Sequence, residues 1–364
     1  MKNKKLKVAV IGGGINSSIG PAHFTAMNSS NNWKITCGVF GMSKNQPSRF
    51  INSETLKVYT SIENLIKTEK KNIDCFLLLT PPTENMKIID LIKKTKLPII
   101  CEKPIFNNLN GLDKLRKFIK LNKIKFLTTY NYSYYPALME LKYLIKKEKS
   151  KLNKIIIEMP QEGFFLKKTK IKNWRKNDKF IPNLFLDLGS HLYNLSYYLL
   201  KSYPSELFCK AYSKENILVD SNIWCKFKNG CDGVFWISKN AGGHENDLKI
   251  ELYFANKSYL WKHSDPDSIL VNFNNGSKTL INRSRKGLKY MNNSRFNVYK
   301  PGHPTGFLET FVNLYNDIHK KIVNKKHSIN ENDFNFEHSY KILKVLDLMK
   351  KSILKNKWMK LNDN

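Results

Sequence analysis

The sequence predicts an α/β protein: a doubly wound parallel sheet first, then an α+β domain on a large, mostly antiparallel open sheet. Three observations predict it. An apolar strand, Leu6–Ile11, runs straight into Gly12-Gly13-Gly14. Apolar strands then alternate with helical stretches to about residue 126, the spacing of a parallel sheet. From Glu206 to about Leu280, short alternating segments recur instead, with Asn229-Gly230 and Asn275-Gly276 as hairpin turns. A chain of 364 residues exceeds one ordinary core. Two domains are expected, 1–126 and 127–364.

The first strand is apolar or β-branched except at Lys7. Gly12 and Gly14 fit the first two positions of G-x-G-x-x-G, and Ser17 stands at the third. Glycine allows a tight turn and a close backbone approach. Asn16, Ser17 and Ser18 are expected to cap a helix running to about Ala26. The unit reads as a dinucleotide-binding Rossmann turn, with Gly12, Gly13, Gly14, Ile15 and Asn16 around a pyrophosphate. An ordinary glycine turn is the other reading. The second strand, Trp33–Phe40, should end near an acid that holds a ribose 2′-hydroxyl. It is followed instead by Gly41-Met42-Ser43-Lys44. Phe40, Ser43 and Lys44 are therefore the expected cofactor contacts. Ser43 and Lys44 can accept a 2′-phosphate, which tips the expectation slightly to NADP over NAD; they are equally an ordinary polar turn.

Ser61 is expected to cap a helix through Lys67. Ile73–Thr80 is a third buried strand, stopped by Pro81-Pro82. A helix over about Glu84–Lys94 and a strand, Pro98–Cys101, follow. Glu102-Lys103-Pro104 then places a lysine at a strand end, where doubly wound sheets take their ligands. A surface lysine at a turn is the plain alternative.

Ile11-Gly12-Gly13-Gly14, Thr80-Pro81-Pro82 and Cys101-Glu102-Lys103-Pro104-Ile105, in that order, resemble the Gfo/Idh/MocA oxidoreductases, the glucose-fructose oxidoreductase and inositol dehydrogenase family. The resemblance implies that Lys103 reaches the nicotinamide ribose and the substrate hydroxyl. It implies that Thr80, Pro81, Pro82, Glu102 and Asn131 lie beside the cofactor. Asn85 stands where family members often carry a histidine.

A helix over about Gly111–Leu121 leads to the strand Ile124–Tyr130. Asn131-Tyr132-Ser133-Tyr134-Tyr135-Pro136 resembles the family's aromatic segment and opens a helix to about Lys149, with Ser133 where a basic residue is usual. The strand Lys154–Met159 follows. Trp174-Arg175 resembles the family's Trp-Arg, and Ile181-Pro182-Asn183 replaces the usual glycines. A helix over Leu186–Leu199 carries Leu188, Leu192, Leu195 and Leu199 as an apolar stripe. Asp187, His191, Asn194 and Tyr198 form a second, polar face. Asp187 and His191 are four apart and so are neighbours on a helix. A carboxylate beside an imidazole raises its basicity and orients it, which suits a general base on a hydroxyl. Asp-x-Gly-x-His is also the family's second signature, although Asn194 replaces a frequent aspartate. Pro301–Phe307 resembles a Gly-His-Pro segment of a sugar-acting branch and opens a helix through Ile322. A last helix spans about Phe336–Leu354. The resemblance implies Lys103, Asp187 and His191 as catalytic residues. It implies Lys103, Tyr132, Trp174, Arg175, Asp187, His191 and His303 as substrate contacts.

The net charge of +32 comes almost wholly from scattered lysines; arginine occurs only at 49, 116, 175, 283, 285 and 295. Nucleic-acid readers favour arginine for bidentate contacts. No nucleic-acid partner is expected. No apolar run reaches membrane-spanning length, and no leader is read in Met1–Lys5. The six cysteines lie mostly in apparent strands without C-x-x-C, which fits buried thiols, no metal site and a cytoplasmic location. The expected protein is an NAD(P)-dependent oxidoreductase of a secondary hydroxyl on a sugar, sugar derivative or cyclic polyol. A non-catalytic dinucleotide-sensing regulator on the same fold is the alternative. The resemblance also implies a homo-oligomer, dimer or tetramer, through the C-terminal sheet.

Overall fold

The structure, a computed structural model, describes residues 5–41, 45–51, 55–163, 178–296, 299–323 and 334–361. The chain gathers into two compact units, each discontinuous in sequence. The first takes the residues up to Phe106, then Asn110–Asn131 and Phe307–Tyr340. Its strands are β1 (Leu6–Gly12), β2 (Trp33–Val39), β3 (Lys57–Val58), β4 (Cys75–Leu79), β5 (Ile99–Glu102) and β6 (Phe126–Thr129). They pair in parallel in the order β3-β2-β1-β4-β5-β6. The order reverses between β1 and β4, so the crevice for a ligand opens beyond their carboxyl ends. Composition puts these two strands at the centre. Every residue of β4 is buried, and in β1 only Lys7 stands exposed. A parallel strand covered on both faces needs that continuous apolar run.

The first helix corrects the sequence reading. It spans Gly20–Asn28, with Ile19 at its N-cap and no capping side chain. Ser17 instead closes the loop ahead of it: its amide donates to Gly14 O at 2.8 Å and its hydroxyl accepts Gly20 N at 3.0 Å. Pro21 explains the late start, because proline lacks an N–H and is tolerated in the first turn but not further in. The next helix, Ile62–Glu69, begins as expected, with the Ser61 hydroxyl accepting Asn64 N at 3.2 Å.

The second unit takes Asn107–Leu109, Tyr132–Gly306 and the chain from Lys341 onward. Among the described residues its sheet has nine strands. Two central ones, Leu152–Pro160 and Asp232–Ser238, run parallel; the other neighbours pair antiparallel. Both predicted Asn-Gly hairpins form, with φ of +77° at Gly230 and +83° at Gly276. Along Ile217–Phe227 burial alternates: Ile223, Cys225 and Phe227 face the core, and Asn222, Trp224 and Lys226 face out. One face is thus covered and the other open.

The expected helix over 186–199 is two pieces. Phe185–Gly189 is a π-helical turn, and Ser190–Leu200 is α-helical. Of its polar face, His191, Asn194 and Tyr198 are buried along with Leu192, Leu195 and Leu199, and Asp187 is half-buried. Apart from half-buried Tyr197 and Leu200 the α-helical piece is enclosed, so its polar residues have no need of a solvent-facing side.

Candidate active site

The first unit brings together the glycine turn, Thr80–Pro82 and Glu102–Pro104 at the carboxyl ends of β1, β4 and β5. Each glycine of the turn is required. Gly12 sits at φ +86°, and a Cβ there would lie 2.6 Å from Leu79 O. Gly13 sits at φ +69°. A Cβ on Gly14 would lie 2.3 Å from Phe40 O. Ile15 and Asn16 follow with exposed side chains, and Ile15 N donates to Gln46 O at 3.2 Å. A slim, glycine-lined turn at the β1/β4 switch point fits a dinucleotide. Phe40 follows the end of β2. It is buried, and its ring folds against Gly38.

Asn85 has a specific task. Its amide donates to Ile105 O at 2.8 Å and its oxygen accepts the Thr80 hydroxyl at 2.6 Å. It therefore ties the end of β4 to the segment that follows Lys103. The Lys103–Pro104 bond is cis, and Lys103 is half-buried. Glu102 accepts the Thr129 hydroxyl, and its Oε2 lies 3.2 Å from His23 Nε2. His23 Nδ1 is 2.6 Å from the Tyr315 hydroxyl. Asn131 is buried and donates to Thr310 at 3.1 Å.

The second unit builds a separate cluster around His191. The ring is 6 % exposed and meets the Tyr132 ring edge-on, with centroids 4.7 Å apart. The Tyr132 hydroxyl accepts the Asn246 amide at 2.8 Å, and Gln161 donates to Asn246 Oδ1 at 2.8 Å. Burial, offset in part by the Asn246 bond and aided by the Asp187 charge, pushes the Tyr132 phenol up to about 12. It stays protonated at neutral pH. Asn246 O also accepts His263 Nδ1–H at 3.1 Å, which leaves His263 Nε2 to accept the Tyr135 hydroxyl at 2.8 Å. Burial lowers the His263 pKa, so the ring is neutral.

Asp187 forms an ion pair with Lys239, at 2.6 Å, from the residue just after the strand Asp232–Ser238. Ahead of this turn, Asp178 accepts Asn183 N at 2.8 Å and Leu218 N at 2.9 Å. Gly189 leaves room for the last helix: a Cβ there would lie 2.9 Å from Leu346 Cδ2.

Sequence reasoning missed Lys239, Asn246, Gln161 and His263. No spacing links them to His191, and only their polar character at strand ends marked them. His303 lies in an exposed loop whose backbone oxygen accepts Arg283 at 2.8 Å. Ser43, Lys44, Trp174 and Arg175 lie outside the described residues. The six cysteines are buried free thiols, and burial pushes their pKa values up, so none is a ready nucleophile. Among the described residues no three His, Cys, Asp or Glu side chains group as a metal site, and no helix is long and apolar enough to cross a membrane.

Two family models match the chain: the oxidoreductase family's NAD-binding Rossmann fold over residues 6–130, and its C-terminal alpha/beta domain over 157–361. The uncharacterized oxidoreductase YfiI of Bacillus subtilis (strain 168) is 22% identical over 336 residues, covering 86% of this chain and 84% of YfiI. Among solved structures, an inositol dehydrogenase homolog of Azotobacter vinelandii, complexed with NADH and myo-inositol, superposes with a TM-score of 0.88. It is 18% identical and covers 98% of each chain. A levoglucosan dehydrogenase in complex with NADH and levoglucosan gives a TM-score of 0.84 at 17% identity, covering 99% of this chain and 100% of that one. At those identities the likeness is one of fold.

Proposed function

Since the chain belongs to the Gfo/Idh/MocA oxidoreductase family, we propose that it moves a hydride between a nicotinamide dinucleotide and a secondary hydroxyl of a sugar, sugar derivative or cyclic polyol. The observation that carries the reading is His191, a buried imidazole one turn after a charge-paired Asp187 and edge-on to a neutral tyrosine. That setting suits a group that takes a proton from a hydroxyl and returns it. In oxidation, His191 receives the O–H proton while the C–H electron pair leaves as hydride, and the alcohol becomes a ketone. Reduction reverses each transfer. Lys103 polarises the substrate oxygen. Asp187 fixes the charge beside His191.

The nicotinamide, when bound, supplies the hydride acceptor or donor. Gly12–Asn16 would hold its pyrophosphate, and Thr80–Pro82 and Glu102 would line it. The absence of an acid after Phe40, with Ser43 and Lys44 in its place, favours NADP. The NADH complexes of the inositol dehydrogenase homolog and levoglucosan dehydrogenase favour NAD. Tryptophan-fluorescence titration with each nucleotide decides between them. The open face of the nine-stranded sheet, with Trp224, Tyr253 and Leu280 exposed, is the proposed contact between copies. Light scattering after size exclusion measures that assembly.

The test of the activity is a screen of sugars and cyclic polyols, myo-inositol and levoglucosan first, read by reduced-nicotinamide absorbance with NAD⁺ and NADP⁺. Turnover of one such compound is the expected result. Tight nucleotide binding with no turnover across the screen would sink the enzyme reading and leave a dinucleotide-sensing regulator.

A further inference from the structure

We propose that Lys239 is a positioning residue that balances the charge of Asp187 and thereby holds the protonation midpoint of His191 down. This rests on the acid–base role given to His191 above. Lys239 lies 52 residues beyond Asp187 in sequence, yet its Nζ is 2.6 Å from Asp187 Oδ2. The two side chains are 18% and 24% exposed, so the pair is shielded far more than a surface ion pair. Lys239 is also fixed at its backbone. Its amide donates to Val219 O at 2.8 Å, and the next amide, Asn240 N, donates to the Ser238 hydroxyl at 3.0 Å. The ammonium therefore arrives at Asp187 from a rigid strand end rather than from a flexible loop.

Four other charged groups on elements packed against this helix have partners of their own. Glu140, on the helix Pro136–Lys147, accepts the amides of Lys289, Tyr290 and Met291. Lys142 on the same helix lies over the Tyr198 ring at 4.2 Å. Glu158 on the strand Leu152–Pro160 pairs with Lys249 at 2.7 Å. Asp347 on the last helix pairs with Lys351 at 2.7 Å. Tyr132 faces His191 as a neutral phenol, and His263 beyond it is neutral. Lys239 meets Asp187 directly, at 2.6 Å.

The sign follows from the charges. An uncompensated carboxylate one turn from His191 would favour the imidazolium and raise its midpoint. The ammonium of Lys239 cancels much of that effect. Lys239→Met removes the cation and keeps the aliphatic stem, and Lys239→Arg keeps the charge.

The test is a histidine ¹³C NMR titration from about pH 5 to 9 of the full chain, with His191 assigned by its absence in His191→Gln. In Lys239→Met the His191 midpoint is expected to rise by about half to one pH unit, and in Lys239→Arg to stay within about 0.3 of the native value. Near-UV circular dichroism confirms that each variant is folded. An unmoved midpoint in folded Lys239→Met, or a native His191 that does not titrate in this range, would overturn the proposal. The titration needs no substrate. Failure of native protein to oxidise any sugar or polyol therefore counts against the activity, and a static midpoint counts against Lys239.

Discussion

His191 is a buried side chain placed by its neighbours, so replacing it tests chemistry with few side effects on the surface. His191→Ala is expected to lower turnover of the best polyol by about 10²–10⁴, the usual worth of a positioned acid or base. Nucleotide affinity, read by fluorescence, should stay within about twofold, because the glycine turn belongs to the other unit. Asn85 makes the opposite case. Its two buried bonds, to Thr80 and Ile105 O, are structural, and Asn85→Ala strands both partners. A loss of about 1–3 kcal/mol in urea denaturation is expected. At this scale the sequence was partly legible. Asp187-x-x-x-His191 announces itself by helical spacing. Lys239 does not, because nothing local ties it to Asp187. Asn246 is 114 residues from the Tyr132 it holds.

The glycine turn works as an element. A Cβ on Gly14 would press on the Phe40 carbonyl, and backbone cannot swing aside as a side chain can. Gly14→Ala is expected to weaken dinucleotide binding by more than tenfold, or about 1.4 kcal/mol, in a fluorescence titration. Gly242→Ala, where nothing lies within 4 Å, is the matched control and should bind as the native protein does. The enclosed helix behind His191 shows what pattern reading cannot see. Its leucines and its His, Asn and Tyr are buried alike, so the two faces were real in sequence but not in exposure. The π turn at Phe185–Gly189 was also unforeseen, since one extra residue in a turn leaves no mark in a stripe of leucines.

Over the whole molecule, two partly buried groups set an acid limit on stability. His263 is held neutral with its pKa below the ordinary 6.5, chiefly by burial. Its stabilisation is complete above that value and is lost as pH falls through it, because protonation removes the Nε2 acceptor from Tyr135. Glu148 is desolvated, which alone would raise its pKa. Hydrogen bonds from Lys257 and from the Ser150 amide and hydroxyl outweigh this and bring it to about 2. Its contribution, up to about 2 kcal/mol after solvent screening, is present above pH 4.5 and lost between there and about 2. Urea midpoints should therefore fall as pH drops below 6.5 and again below 4.5. His263→Gln should remove the first fall and leave the second. A native midpoint that stays flat as pH falls from 7 to 5 would contradict the first assignment, and one flat from 4.5 to 2 the second.

The sequence by itself determined the strands, their alternation with helices and the places where chemistry could sit. Continuous apolar runs, glycine turns, Asn-Gly hairpins and i,i+4 spacing are local, and local backbone sterics and burial dictate them. Tertiary structure alone decided which distant side chains meet. Phe307–Tyr340 returns to the first unit, Asn85 rather than histidine ties two strand ends, and Lys239 neutralises Asp187. Those outcomes rest on register between strands far apart in the chain. A period of two or of 3.6 residues fixes which face a side chain takes, and carries no record of what stands opposite it.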